Sequence, residues 1–527
     1  MPDRKMVSLT IEGRPVTVPD GTSIIEAAKT AGVLVPHYCY HPGLPVAGVC
    51  RMCLVEVEKL PKLAPACATS VMEGQVVHVH SPKALEARKG VLEFLLINHP
   101  LDCPICDQAG ECELQDYTFA EGRADSRYRE PKRFSPVEDF GGDVLYVPNR
   151  CILCTRCVRF MTDVAKEPVL NVSERGDRAF IGKAEGHDLT NPWAGNVVDL
   201  CPVGALLSKD FLNKARSWEL DRAPTICTGC SQGCNAVAET RDNVLVRLKP
   251  RSNDAVNQYY LCDTGRLGYR EFNERTRVDQ PLVRRGESLQ VTGWEEAIAA
   301  AADAMGTRRL VVLASPSLSN ESLFLLDRLR SRVTSMGVFR VNRGPEAALP
   351  GVPDLALRAE RAANTTGARL LGFSEVAVLA DVLQAGDALL VVSDALAGID
   401  PTLLDRAASV TYVGTALPHT LTTRATVVLP VTNVIEEEGT LTNLRGRVQR
   451  FLQAKAAPGV ARPTWYVLAD LLTARGGDGQ FFQPSDVFGA LSLMHGAFSG
   501  LDYEGLGLHG ALIKSDAGVP EPQGALR

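Results

Sequence analysis

Residues Asn98–Asp116 read NHPLDCPICDQAGECELQD. This segment holds one histidine and three cysteines, interrupted by Pro100, Pro104 and Gly110, and shows no apolar repeat at helical or strand period. Backbone of that kind buries too little apolar surface to offset the entropy of ordering it. Soft sulfur donors spaced Cys103-x2-Cys106-x5-Cys112 offer another means, since thiolates gripping an inorganic cofactor fix a loop that has no core. The rest of the chain is read outward from this segment.

The chain has 15 cysteines, none beyond Cys262. An odd number, behind an N-terminus (MPDRKMVSLT) without the apolar core of a secretory signal, argues against a disulfide framework and for metal or redox chemistry. The other cysteines fall into Cys39-x10-Cys50-x2-Cys53-x13-Cys67; Cys151-x2-Cys154-x2-Cys157, with Cys201-Pro202 later; and Cys227-x2-Cys230-x3-Cys234, with Cys262 following. Structural zinc usually takes two CxxC or CxxH pairs, whereas a CxxCxxC triplet with a later Cys-Pro favours an iron–sulfur cluster. The four sets together decide for iron–sulfur. Four clusters with four ligand positions each leave one vacancy, and it falls in the opening segment, so His99 is assigned to it. His37 and His41 flank Cys39 as packing or hydrogen-bonding residues. His78 and His80 share a strand face, and His187, His419, His495 and His509 have no neighbouring cysteine. Spacing alone leaves open which group Cys67, Cys201 and Cys262 complete, because in two-cluster ferredoxins the cysteine before proline serves the other cluster.

At 527 residues the chain should form three or four domains. The expected boundaries are 1–95, a β-grasp ferredoxin-like domain; 96–220, a module for two clusters; 221–275, a further cluster domain; and 276–527, an α/β domain. The fold class is α+β multidomain. A net charge of -6 gives no electrostatic reason to bind nucleic acid or an anionic membrane face. The longest apolar stretch, Ala194 to Leu207, is too short to span a bilayer. Val7, Leu9 and Ile11 alternate as a strand, Val16–Val18 return as a second, and a helix is predicted from Thr22 to Ala31, with a capping box at Ser23 and Glu26 and Gly32 past its end. Strands over Arg309–Ala314, Ala388–Val392 and Thr426–Pro430, with a helix from Asn320 to Val333, predict a mostly parallel sheet. The chain from Gly505 onward reads as a loose or partner-docked tail. Its GxGxxG match at Gly505–Gly510 lacks a preceding strand and room for a βαβ unit. Glu436-Glu437-Glu438 reads as a solvated or loop-end charge run.

The four groups in this order resemble the large iron–sulfur subunit (G type) of bacterial respiratory complex I, NADH–quinone oxidoreductase, and the segment 98–116 carries the most specific part of the likeness. The resemblance implies one [2Fe-2S] cluster on Cys39, Cys50, Cys53 and Cys67. It implies three [4Fe-4S] clusters: on His99, Cys103, Cys106 and Cys112; on Cys151, Cys154, Cys157 and Cys201; and on Cys227, Cys230, Cys234 and Cys262. The back half is similar to the molybdopterin oxidoreductase fold over Ser315–Asp327 and Glu438–Gln449. No cysteine is left there to hold molybdenum, and Thr264 stands where those enzymes tend to carry lysine, so no molybdenum cofactor is expected. The back half is also shorter than is usual for such a protein. The implied function is electron relay from NADH and flavin toward quinone, coupled in the complex to proton translocation, with no substrate site in this chain. The implied partners are the flavin-containing NADH-binding subunit, other peripheral-arm subunits and quinone-side iron–sulfur subunits, with no nucleic acid. The implied place is the cytoplasmic face of the inner (plasma) membrane, reached only through the complex. A formate dehydrogenase, an NAD-linked hydrogenase subunit and a zinc-stabilised scaffold are the rival readings. Arg150, Arg156 and Arg159 interleave with the third group, where their charge should favour the reduced cluster.

Overall fold

Alternating apolar residues make the first strand, β1 (Met6–Ile11), whose Val7, Leu9 and Ile11 face inward. The turn at Glu12 and Gly13 places both residues at positive φ, the geometry a tight hairpin needs, and returns the chain as β2 (Arg14–Pro19) with Leu9 opposite Val16. α1 (Ile24–Thr30) buries Ile24, Ile25, Ala27 and Ala28. The expected capping box does not form. Ser23 occupies the N-cap without a side-chain bond, and Glu26 instead accepts a hydrogen bond from the Tyr40 hydroxyl at 2.7 Å, tying the helix to the first cysteine loop. β3 (Leu54–Val57), β4 (Ala64–Pro65) and β5 (Val76–His78) complete a sheet in the order β2-β1-β5-β3-β4, with β1 parallel to β5.

This computed structural model describes residues 5–274, 276–396 and 399–514. They divide into two compact units, one comprising the chain up to Leu220 with Leu349–Pro353, the other Asp221–Ala348 and the chain from Asp354 onward. In the first unit, α2 (Pro82–Leu96) starts at Ser81, whose side chain accepts from Ala84 N at 3.2 Å. Proline at the first helical position costs nothing there. Beyond it the unit holds only short elements, among them α3 (Glu113–Glu121) and the single turn α4 (Arg156–Arg159).

The second unit opens with an antiparallel sheet of β6 (Asp221–Ile226), β7 (Asn235–Arg241) and β8 (Val244–Pro250). Its larger sheet contains β9 (Leu282–Arg285), β10 (Ser288–Val291), β11 (Leu310–Ala314), β12 (Ser335–Phe339), β13 (Ser374–Glu375), β14 (Ala388–Val392), β15 (Ser409–Gly414) and β16 (Val427–Pro430). They run in the order β10-β9-β16-β15-β14-β11-β12-β13, with the six strands from β16 to β13 parallel. Leu310, Val312 and Ala314 enter one core, and Val311 and Leu313 the core on the opposite face, so the run is apolar throughout because both faces are covered. The helix predicted to Val333 ends at Arg330. No described helix is long and apolar enough to cross a membrane.

Two expectations are corrected here. The chain from Gly505 to Lys514 is packed, not loose: Leu506 and Ile513 are buried, and Ala511–Leu512 pairs with Arg447–Phe451. Residues 515–527 of that expected tail lie outside the described residues. Glu436 and Glu437 do stand at a loop end, before the strand Gly439–Thr442, but they are buried rather than solvated, because specific partners meet them. Arg277 makes two bonds to Glu436, at 2.9 and 2.8 Å, with Lys455 at 3.4 Å. Glu437 accepts from Thr432 Oγ1 at 2.7 Å and from Thr464 N at 2.8 Å.

Glu321, also fully buried, accepts from Thr440 N at 2.9 Å and Thr440 Oγ1 at 2.8 Å. Burial pushes both Glu321 and Glu437 up to about 7, partly opposed by these hydrogen bonds. An acid whose folded value lies above its unfolded one binds more protons folded than unfolded in the interval between, so stability falls there as pH rises. The second unit should therefore be more resistant to denaturant at pH 5 than at pH 7.5, by about 2–3 kcal/mol for each residue. Glu321→Gln with Glu437→Gln should flatten that slope. Denaturant midpoints across pH 4.5–8 measure it, and a slope unchanged in the double variant would refute it.

Candidate metal centres

Three of the four cysteine groups lie in the first unit and the fourth in the second. In the first group Cys39, Cys53 and Cys67 are buried and Cys50 is half-buried. Cys39 N donates to Cys50 Sγ at 3.4 Å. The Cys39 thiol bonds to those of Cys50 and Cys67, and Cys53 bonds to Cys67. Those shared protons hold Cys39 and Cys53 below the ordinary thiol range and push Cys50 and Cys67 above it. The four thiols are thus linked pairwise, and the irons of a cluster would replace the protons they share.

In the second group Cys106 and Cys112 are buried and Cys103 is exposed on a single 3-10 turn. Cys106 feels the charge of Cys103, and Cys112 that of both. Arg150 makes two bonds to Asp102, at 3.1 and 2.9 Å, and Arg216 donates to the carbonyls of Cys106 (2.8 Å) and Pro104. A Cβ added to Gly204 would lie 2.2 Å from Cys106 Sγ, so only glycine leaves that sulfur its space. His99 has a buried Nδ1 without a hydrogen-bond partner. Burial, reinforced by Lys132 and Arg150, lowers its pKa to about 4, so its imidazole is neutral and keeps a lone pair for a metal. Its charge interactions run to Lys132, Arg150 and Asp102.

The third group is the most complete. Cys151, Cys154, Cys157 and Cys201 line a single small pocket, walled by Tyr146, Ile152, Ile181, Val203 and Leu206. Burial raises Cys151 and Cys201 to about 11 and Cys154 to about 12, and holds Cys157 well above the ordinary thiol range. The loop reaches this shape with Leu153 (φ 53) and Thr155 (φ 61) in the left-handed region, which costs a branched residue of order 1–3 kcal/mol. Arg150 serves the second group through Asp102 rather than the third, contrary to its place in the sequence. In the fourth group all four cysteines are buried, and Cys227, Cys234 and Cys262 each feel the charge of Cys230. Gly265 N donates to Cys262 Sγ at 3.4 Å, and a Cβ on Gly265 would lie 2.8 Å from Cys227 Sγ.

Orphaned ring nitrogen, thiol-lined cavity and glycine-cleared sulfurs fit polynuclear clusters. Among the described residues no three His, Cys, Asp or Glu side chains are drawn close enough to hold one ion. A cluster offers a different iron to each ligand, so its donors stand apart around it. Sequence reasoning missed Gly204, Gly265, Leu153 and Thr155, since nothing local marks them. It also missed Glu113, whose carboxylate meets Arg156 at 3.2 and 3.3 Å.

Five family models match the chain. Residues 4–82 match a 2Fe-2S iron-sulfur cluster binding domain and 88–127 an NADH-ubiquinone oxidoreductase-G iron-sulfur binding region. Residues 141–207 match the ferredoxin-like domain of NADH-quinone oxidoreductase subunit 3, 220–274 a molybdopterin oxidoreductase Fe4S4 domain, and 406–474 a molybdopterin oxidoreductase. The G subunit of the NADH-quinone oxidoreductase of Rickettsia bellii is 39% identical over 331 residues, 62% of this chain and 48% of that protein. The mitochondrial NADH-ubiquinone oxidoreductase 78 kDa subunit of Candida albicans is 42% identical over 339 residues, 63% of this chain and 47% of that one. The chain spans about half the length of the curated relatives it matches. Among solved structures, a chain of an NAD+-reducing [NiFe]-hydrogenase in the H2-reduced state is 29% identical, with a TM-score of 0.36, over 40% of this chain and 90% of that one.

Proposed function

We propose that this chain, a homologue of the NADH-quinone oxidoreductase G subunit through the 331 residues aligned with one such relative, is an iron–sulfur electron-relay subunit of an NADH-quinone oxidoreductase. The observation that carries the reading is the cavity lined by all four cysteines of the third group. The sixteen donors would act as four tetrads: Cys39, Cys50, Cys53 and Cys67 for [2Fe-2S], and for [4Fe-4S] the sets His99/Cys103/Cys106/Cys112, Cys151/Cys154/Cys157/Cys201 and Cys227/Cys230/Cys234/Cys262. Bound clusters would accept and release single electrons at potentials within about -700 to +450 mV.

The chain's own residues supply the setting. The thiols give up their protons to become ligands, and the apolar wall of the third cavity excludes water. His99 stays neutral and so can donate a lone pair. Domains 1–95, 96–220, 221–275 and 276–527 would then be a β-grasp ferredoxin, a two-cluster module, a one-cluster domain and an α/β scaffold without molybdenum. The partners would be a flavin-bearing NADH-binding subunit, other peripheral-arm subunits and quinone-side iron–sulfur subunits. The complex would sit peripherally on the cytoplasmic face of the inner membrane and couple electron flow to proton translocation.

Metal and sulfide analysis of the anaerobically purified full chain tests this. About fourteen irons per chain are expected, with matching acid-labile sulfide and no molybdenum. Four distinct reduced signals should appear by low-temperature EPR, and His99→Ala should alter only one. Stoichiometric molybdenum would instead point to a formate dehydrogenase, and zinc without sulfide to a scaffold.

A further inference from the structure

Arg156 and Arg159 are separated by a single turn of α4, and both side chains reach from the third cysteine group to the loop of the first. Arg156 donates to Tyr40 O at 2.8 Å and to Leu200 O, beside Cys201, at 3.2 Å. Its charge is met by the Glu113 carboxylate. Arg159 differs. Its Nη2 donates to Cys39 O at 2.5 Å and to Cys154 O at 3.2 Å, so one nitrogen touches the backbone of a ligand residue from each of two groups. Nη1 takes Pro45 O at 2.5 Å and Nε takes Thr155 Oγ1 at 3.2 Å. All four partners are neutral oxygens, and among the described residues no carboxylate forms an ion pair with Arg159. Asp163 acts on it only at longer range.

We propose that Arg159 is a cation shared by the first and third tetrads, raising the reduction potentials of both bound clusters. The inference rests on the iron–sulfur reading of those tetrads. Each one-electron reduction adds negative charge to a cluster, and a half-buried cation without a counter-charge stabilises that added charge more than one already neutralised by a carboxylate. Arg156, paired with Glu113, is therefore the weaker lever although it is the more buried. Arg159 acts through the ligand residues' carbonyls and is a positioning residue with an electrostatic effect.

Dithionite titration of the full chain, followed by EPR, tests this with Arg159→Gln and Arg159→Lys. In Arg159→Gln the reduced-to-oxidised ratio of both the first and third centres, at fixed ambient potential, should fall about tenfold, which is about 59 mV for one electron. Arg159→Lys should keep both near the parent values, and the second and fourth centres should stay put in both variants. Movement of one centre alone, of none, of all four, or an equal fall in Arg159→Lys would each overturn the shared-cation role. If Arg159→Gln fails to assemble, Asp163→Asn should raise both midpoints, and no rise would likewise overturn it. A parent protein without iron signals would sink the cluster reading instead, which is a separate result.

Discussion

Gly204→Ala is expected to empty the second tetrad while leaving the other three loaded. Its new Cβ would fall 2.2 Å from Cys106 Sγ and 3.0 Å from Gln108 Cβ. Real carbon–sulfur contacts are well over an ångström longer, so the sulfur must leave the place from which it binds. The backbone cannot yield instead, because Glu113 N donates to Pro202 O at 3.0 Å and Val147 N to Ala205 O at 2.8 Å on either side of the glycine. Iron should drop by about four of the expected fourteen. Overpacking should add a stability loss of about 1–3 kcal/mol. Gly268→Ala, whose Cβ meets nothing within 4 Å, serves as the control. Iron assay with EPR decides; full iron content in Gly204→Ala would defeat the assignment of Cys106.

The second large effect concerns Arg88, wholly enclosed on the inner face of α2. Its guanidinium donates to Leu54 O at 3.2 Å and Val79 O at 2.9 Å, in the ferredoxin sheet and just past it, and makes two bonds to Glu121, at 2.5 and 3.0 Å, at the end of α3. Arg88→Met keeps most of the volume but strands two carbonyls and a nearly buried carboxylate. Breaking one side of a buried pair costs about 3–5 kcal/mol. Urea denaturation should show that loss, with part of it recovered in Arg88→Met/Glu121→Gln. A shift under about 1 kcal/mol would place the pair among weak surface bridges.

The sequence was most readable where structure is local. The β1–β2 hairpin follows from alternation and a two-residue turn, and β14 lies over Ala388–Val392 because an apolar run of that length must be covered on both faces. The cysteines can be sorted into candidate groups by spacing because thiolate chemistry is written in residue type. What escaped was set by distant chain. Glu436 and Glu437 look like a solvated run until Arg277 and Thr464 arrive to meet them. Ser23 and Glu26 have capping-box spacing, but Tyr40 takes the carboxylate. Gly204 is one glycine among 45 until Cys106 is beside it. Arg150 sits next to Cys151 in sequence, yet its bonds go to Asp102.

The reach of Arg156 and Arg159 bears on modularity. Residues up to about 95 hold a complete sheet, a helix and all four thiols of the first group, so by connectivity they form a portable unit. Yet two successive carbonyls of its first cysteine loop, those of Cys39 and Tyr40, are satisfied by side chains more than a hundred residues downstream. Cut free or transplanted, the ferredoxin would keep its scaffold and surrender those contacts to water. Its midpoint in isolation would then be a poor guide to its behaviour in the intact chain.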